Sequence, residues 1–381
     1  MRLRHAGIGA GAVAVMLSAA APALDFTLGV GPTFSCLSRG PGARVAGLTF
    51  LEPAPVLSAD KYGGRDYHPD DGNNVGVGTG YADLTAPMGR YCAGVFYRTD
   101  YRGDASRDTL DALVANHRRE PFDVGRTYEL EFGSTYLDMA GLKLSRMWDF
   151  EPAERWSLQL GATASVMQAL EYREEHLRGS AIATSGRYAV GTATLVRTES
   201  DYDPSDFNPF VGTGDPQGYG YALDAGVVLR SPRGDIATAT VLDAYSAIHW
   251  NDVPESVENA DNETFRYDAN FNRQAFVAGR DRRVSLTHQI DPRYRLALSV
   301  PLRRGFSLIT SDDYVDHTHF PAAGLGYRWS GGYAELSLDL QAGAVSILLG
   351  HDWLRLSISA DHLDFSEASV LGAGLSVAGS W

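Results

Sequence analysis

The chain has 381 residues, with 33 Lys and Arg against 47 Asp and Glu, a formal net charge of -14. That balance excludes nucleic-acid binding as a primary role. Past the N-terminal stretch no apolar run approaches the roughly 20 residues of a spanning helix, which excludes a helical membrane bundle. The mean hydropathy of -0.19 leaves a β-barrel open, because lipid-facing and lumen-facing residues alternate and average out.

The chain begins with Arg2 and Arg4, an apolar run from Ala6 to Leu17, and the small residues Ala21-Pro22-Ala23. This is the pattern of a secretory signal peptide over residues 1–23, too short and wrongly flanked for a transmembrane helix. Residues 24–126 are the least regular. Leu24 to Phe34 alternates as a strand. Gly and Pro cluster around Ser38 to Gly42, and Tyr62 to Thr79 reads as loop. Tyr91 to Tyr97 is a second short strand. Ser106 to Arg119 has a helix pattern, with Ser106 as N-cap, Asp108 in the first turn, and Leu110, Leu113, Val114 and His117 on one face. That helix is expected either against a lumen wall or on a rim. The segment as a whole is expected to supply a plug or gate plus the first strands. Cys36 and Cys92 both lie in it, and an oxidising envelope is expected to join them in a disulfide.

From Thr127 the period becomes two, the side-chain period of a strand. Tyr128, Leu130 and Phe132 alternate with Glu129, Glu131 and Gly133; Leu158 and Leu160 with Gln159 and Gly161. Tyr219, Tyr221, Leu223 and Val227 share a face opposite Asp224 and Arg230. Leu296, Leu298, Val300, Leu302, Phe306 and Leu308 keep one parity, so Tyr294 to Thr310 reads as one long strand. Leu336 and Leu338 oppose Glu335 and Asp339; Leu354, Leu356 and Ile358 oppose Arg355 and Ser357. Tight turns fall at Ser231 to Gly234, Asp291-Pro292-Arg293, Ser330 to Gly332 and His351-Asp352. Longer polar connections lie at Thr198 to Gly218, Trp250 to Arg273 and Ser311 to His317. Short turns at one end and long loops at the other fit a barrel of roughly 14 strands. Trp148, Trp156, Tyr219, Tyr245, Trp250, Tyr294, Tyr327, Trp329, Tyr333 and Trp353 cluster near the expected strand ends, as aromatic girdles do.

The chain closes on Val370 to Trp381, with Leu371, Ala373, Leu375, Val377 and Trp381 on one face and Gly, Ser and Ala on the other. This resembles the closing strand of Gram-negative outer-membrane β-barrel proteins, whose aromatic terminus the insertion machinery reads. Leu375, Val377 and Trp381 match that assembly signal; Gly379 departs from it where an aromatic residue often stands. The resemblance is to a class. It implies an all-β, transmembrane, antiparallel up-and-down barrel over residues 127–381, located in the outer membrane, with outer-membrane lipid and the barrel-assembly machinery as partners.

Little in the sequence points to catalysis. Asp316-His317-Thr318-His319 places two imidazoles on one side of a strand, but no third ligand accompanies them. No Gly-rich phosphate loop and no Cys cluster occurs, so no cofactor, metal site or enzyme activity is expected. The expected lumen-facing residues are Glu129, Glu131, Asp224, Arg295, Glu335, Asp339, Arg355 and Asp361, opposite the apolar faces. They point to a channel or uptake protein for small solutes, the solute itself unnamed by the residues. A structural or adhesive barrel binding through its outer loops is the alternative, and a soluble secreted β-sandwich binding protein the second.

Overall fold

Alternating strands with hydrocarbon on one face and charge on the other must bury one face and cover the other, and a closed sheet does both. The computed structural model describes residues 42–51, 73–118, 120–186, 188–200, 216–267, 273–315, 317–351, 354–363 and 370–378. The expected signal peptide, the strand at Leu24 to Phe34, Cys36, Asp316, Trp353 and Trp381 lie outside the described residues. The strands are β1 (Gly42–Leu51), β2 (Asn73–Met88), β3 (Tyr91–Ser106), β4 (Thr127–Phe150), β5 (Ser157–Ser185), β6 (Tyr188–Glu199), β7 (Gln217–Arg230) and β8 (Ile236–Tyr267). They continue as β9 (Arg273–His288), β10 (Arg293–Pro301), β11 (Phe306–Val315), β12 (Thr318–Trp329), β13 (Gly332–Asp339), β14 (Val345–His351), β15 (Leu354–Ala360) and β16 (Val370–Ala378). One helix, α1 (Arg107–Arg118), sits between β3 and β4.

All 16 strands belong to one sheet. Leaving out β6 and β9, the other 14 close into a ring, with β5 pairing β7, β8 pairing β10, and β16 pairing β1. Every pairing is antiparallel, and the β16–β1 seam runs in unbroken register from Gly42↔Ala378 to Phe50↔Val370. Above the ring β6 and β9 extend the wall into a flap of β4, β5, β6, β8 and β9. The ring excludes the β-sandwich alternative.

Register places the short turns at the end where β16 finishes. Gly89-Arg90 joins β2 to β3, and Gly89 takes φ 65, a conformation that favours glycine. Residues 231–235, 302–305 and 330–331 turn at the same end. The opposite end carries α1 and the flap. Asp291-Pro292-Arg293 is not a reversal: β9 and β10 are both antiparallel to β8, so the chain keeps its direction through residues 289–292. Pro292 lacks an N–H and interrupts the ladder without turning it. The single long strand expected from Tyr294 to Thr310 is instead β10 and β11, separated by a turn in which Arg304 and Gly305 take φ 60 and φ 83.

Part of the region expected to be irregular is barrel wall. Asn73–Met88, half of it read as loop, is a full strand. Its Gly76, Gly78 and Gly80 hid the alternation. Trp250 to Arg273, read as a polar connection, continues β8 into the hairpin with β9. Helix α1 forms as expected: the Thr109 N–H donates to Ser106 Oγ at 3.2 Å, an N-cap bond. It packs on β3 and β4 at the upper rim.

Burial is inverted relative to a soluble protein. Outward positions expose Leu84 (60%), Leu142 (59%), Val166 (59%) and Leu296 (57%). Each such side chain left in water forfeits about 1.5–3 kcal/mol; a continuous band of them is the surface a bilayer covers. Trp148, Trp156, Tyr327 and Trp329 flank the band at the short-turn end, and Tyr219 and Tyr294 stand on it at the upper ends of β7 and β10. Trp250 and Tyr333, expected in the girdles, are buried instead.

Candidate functional site

The inward face of β3 carries Arg98, Asp100 and Arg102, which alternate with the opposite-facing Tyr97, Thr99 and Tyr101. These charges meet groups on β8 and β10, strands that do not adjoin β3 in the ring. Arg98 grips Asp243 with both terminal nitrogens, Nη1 to Oδ1 at 2.9 Å and Nη2 to Oδ2 at 2.6 Å. Its Nε lies 2.7 Å from Asp100. Arg293 Nη2 donates to Asp100 Oδ1 at 2.7 Å, and Arg293 also bonds Thr79. Arg102 pairs with Asp291. The lumen between β3 and the β8–β10 wall is therefore crossed by charge-assisted hydrogen bonds.

Local irregularities put the partners there. Opposite Asp224, between Leu223↔Tyr245 and Ala225↔Val241, β8 holds three residues against one on β7. This bulge gives Asp243 φ 53 and a fully buried side chain. The Asp243 N–H freed from the ladder donates to Asp224 Oδ1 at 2.8 Å. On the other edge of β8, residues 243–247 face the interruption at 289–292. Ser246 replaces the missing ladder there: its Oγ accepts the Ile290 N–H at 2.9 Å and donates to Ile290 O at 3.0 Å.

Beside this bar, Lys143 bonds Asp83 and donates to Tyr81 Oη at 3.0 Å. Gly94 is the register partner of both Lys143 and Thr85, and a Cβ there would meet Leu84 O at 2.5 Å. A cavity of about 90 Å³ lies among these groups, lined by the charged Arg98, Lys143, Asp224, Asp243 and Arg293 together with the apolar Phe96, Met167, Ala222 and Leu242. An apolar cluster continues from Phe96 and Met167 through Leu137, Met139, Tyr172, Ile248, Trp250 and Val253. Gly141 makes this possible too: a Cβ there would lie 2.9 Å from Phe96 Cε1. The Tyr172 and Trp250 rings stand 5.6 Å apart.

Of the residues expected in the lumen, Asp224 alone belongs to this assembly. Arg295 faces Asp313 across β10 and β11 at 3.5 Å. Arg355 donates from Nε to Tyr333 Oη at 2.6 Å, and Glu335 lies on the inward face nearby, partly buried. Asp339 accepts the Gln341 and Ala342 N–H groups and shapes the β13–β14 turn. Asp361 accepts the Val370 N–H at 3.0 Å, holding the entry to β16. Glu129 and Glu131 are exposed on the upper part of β4, beyond the end of β3, where Glu131 pairs with Arg178. Leu375 and Val377 fall on the outward face of β16. His319 pairs with Asp312 at 2.8 Å in an exposed setting. Cys92 is buried.

At the rim, the Arg126 guanidinium meets Asp108 at 2.5 Å and Asp111 at 2.7 Å. Partial burial of the Asp108 carboxyl favours its neutral form, but the Glu129 N–H and Arg126 outweigh it and hold the group below its ordinary value.

No protein-family model and no curated protein matches the chain. Among solved structures it is similar to the TodX deltaS2S3 mutant monoaromatic hydrocarbon channel, at 9% identity and a TM-score of 0.44, over 90% of this chain and 91% of that one. It is also similar to a Pseudomonas aeruginosa FadL homologue, at 12% identity and a TM-score of 0.30, over 88% of this chain and 89% of that one.

Proposed function

We propose that the protein is an outer-membrane channel of a Gram-negative envelope that takes up small, largely apolar solutes. The observation that carries this reading is the apolar cluster on the inner wall, placed directly against a bar of ion pairs. A closed structural barrel has no reason to line its lumen with Met139, Tyr172, Ile248 and Trp250. Lumens filled for strength alone favour paired charges, as at Arg295 and Asp313. Apolar lining rewards the transfer of a small apolar solute from water, and the crossed charges hold the passage shut until the wall moves.

The test is binding and conduction by the purified barrel. Naphthalene should quench tryptophan fluorescence saturably, and the quenching should fall sharply in Trp250→Phe. In planar bilayers, Arg98→Ala should conduct more than the unaltered protein. A barrel that shows no saturable quenching and no conductance in either form is a structural or adhesive barrel instead.

The disulfide between Cys36 and Cys92 remains part of this reading. Register puts Cys92 on the inward face of β3, at the short-turn end, two strands from the start of β1. A bridge to Cys36 would tie the segment before β1 to the lumen wall.

A further inference from the structure

We infer that the outer surface of β2 to β5 holds one glycerophospholipid of the periplasmic leaflet, its phosphate at Arg146 and an acyl chain in the groove above that side chain. This rests on the reading of the protein as an outer-membrane barrel with its short turns in the periplasm, and it names a lipid that the wall selects.

Three rows of outward side chains cross the four strands in register. Leu84, Val95, Leu142 and Val166 form the upper row. Ala86, Ala93, Leu144 and Ala164 form the next. Met88, Tyr91, Arg146 and Ala162 form the row nearest the short turns. Three alanines in the middle row leave a hollow between larger neighbours. The result is an open groove of about 580 Å³, lined by both upper rows and mainly by hydrocarbon. That volume falls within the roughly 300–1,000 Å³ of sites that enclose a small molecule. The groove opens on the exposed apolar band, so what fills it in a bilayer is lipid hydrocarbon.

Arg146 stands one row, about 7 Å along the strand, below the hollow. Its guanidinium lies 5.3 Å from the centre of the Tyr91 ring and 5.0 Å from that of Trp148. Its Nη1 donates to Tyr91 Oη at 3.2 Å. These contacts hold the charge among the girdle aromatics, at the level of lipid headgroups. Among the described residues no carboxylate pairs with Arg146. Asp149 has the opposite parity on β4 and accepts from Gln159 Nε2 at 2.8 Å, and Glu151 and Glu154 belong to the turn beyond the strand. A guanidinium carries more N–H donors than Tyr91 uses, in the fork that matches a phosphate. A second copy of the chain on this face would bring Arg146 against Arg146, because a two-fold interface joins like to like. The phosphate of a lipid meets that charge instead.

Phosphatidylglycerol and a diacylglycerol with the same acyl chains separate the two parts of the site, because they differ in the phosphate headgroup. Each is titrated into the mature protein in nonionic detergent, and bound lipid is read by native mass spectrometry. Phosphatidylglycerol should bind at least about tenfold more tightly, as hydrogen bonds to a charged group allow. Arg146→Gln should abolish that preference and leave diacylglycerol unchanged. Ala164→Phe, which fills the hollow, should weaken both lipids. Equal binding of the two lipids by the unaltered protein overturns the inference. So does an undiminished preference in folded Arg146→Gln, checked by heat-modifiable gel mobility. A mass of two chains with no bound lipid, lost in Ala164→Phe, makes the groove an interface between copies and overturns it as well. Should Arg146→Gln fail to fold, the ranking of the two lipids on the unaltered protein decides alone. Naphthalene quenching without the lipid preference sinks this inference and leaves the apolar channel standing. The lipid preference without quenching supports this inference and sinks the channel.

Discussion

The pair Arg98–Asp243 offers the sharpest perturbation. The Asp243 side chain is fully buried and that of Arg98 is 11% exposed, so neither is screened by water to any extent. Removing one partner of such a pair leaves a buried charge uncompensated, at a cost of about 3–5 kcal/mol. At 1.4 kcal/mol per decade this is roughly a hundred- to four-thousand-fold change in the folding equilibrium. Arg98→Met and Asp243→Leu should each lose stability on that scale. The double variant replaces both charges with hydrocarbon and should lose about 3 kcal/mol less than the sum of the two. Stability is read from urea titrations of the detergent-purified barrel, followed by its mobility on unheated gels. Bilayer conductance, read in parallel, should rise in all three variants, because each removes a bond between β3 and β8. Additive losses, with a coupling under about 0.5 kcal/mol, together with unaltered conductance, would show that the crossed charges hold nothing together.

Three further outcomes are expected. Mass analysis of the mature, unreduced protein should find no thiol that alkylates, and two alkylated cysteines would refute the bridge between Cys36 and Cys92. Asp108 is held below its ordinary value of 3.8, so its contribution to docking α1 is complete above that value and fades as pH falls through the lower folded one. Protection of residues 107–118 from amide exchange should therefore be flat from about pH 7 to pH 5 and drop only in stronger acid, and protection already lost near neutrality would contradict the pairing with Arg126. Trp381→Ala should lower the amount of protein reaching the outer membrane, with Leu363→Ala, at a fully exposed position, as the comparison; equal insertion of both at unaltered levels would remove the terminal ring as an assembly signal.

The barrel was legible because its evidence is local. Outward Leu336, Leu338, Leu356 and Ile358 announce their strands by period alone, and the structure places them on the exposed outer face. Two misreadings along the chain offset each other in the number of reversals. Asp291-Pro292-Arg293 has turn chemistry yet leaves the direction of the chain unchanged, because β8 offers a partner on both sides of the break. Leu302 to Gly305 reverses the chain yet preserves the parity of Val300, Leu302, Phe306 and Leu308, so the alternation ran through it unmarked. Period two reports which face a residue occupies; it carries no information on which way the strand runs. Glu129 and Glu131 show the same limit along the other axis, since alternation continues along β4 past the end of β3 without a mark.

The bar itself was half visible. Arg98, Asp100 and Arg102 alternate with Tyr97, Thr99 and Tyr101 in plain sequence, and that charged face could have been read on the same grounds as Glu335 and Asp339. Their partners could not. Asp243 reaches the lumen only because β8 carries two extra residues opposite Asp224, and a bulge erases the parity that would announce it. Arg293 follows the interruption at Pro292 for a similar reason. The two halves lie 145 residues apart at Arg98 and Asp243 and 193 apart at Asp100 and Arg293. No periodic signal links walls across a lumen; what brings them together is closure of the ring at β16 and β1 combined with the bulge in β8 and the interruption before β10. Irregularity in β8 and β10 is thus where the barrel departs from a uniform wall, and it coincides with the charges, the cavity and the apolar cluster. A uniform 14-stranded wall would hold these groups at the circumference, too far apart to bond. The strained backbone at Asp243 is consequently the feature on which the bar depends, and Asp224, which accepts its N–H, supports it.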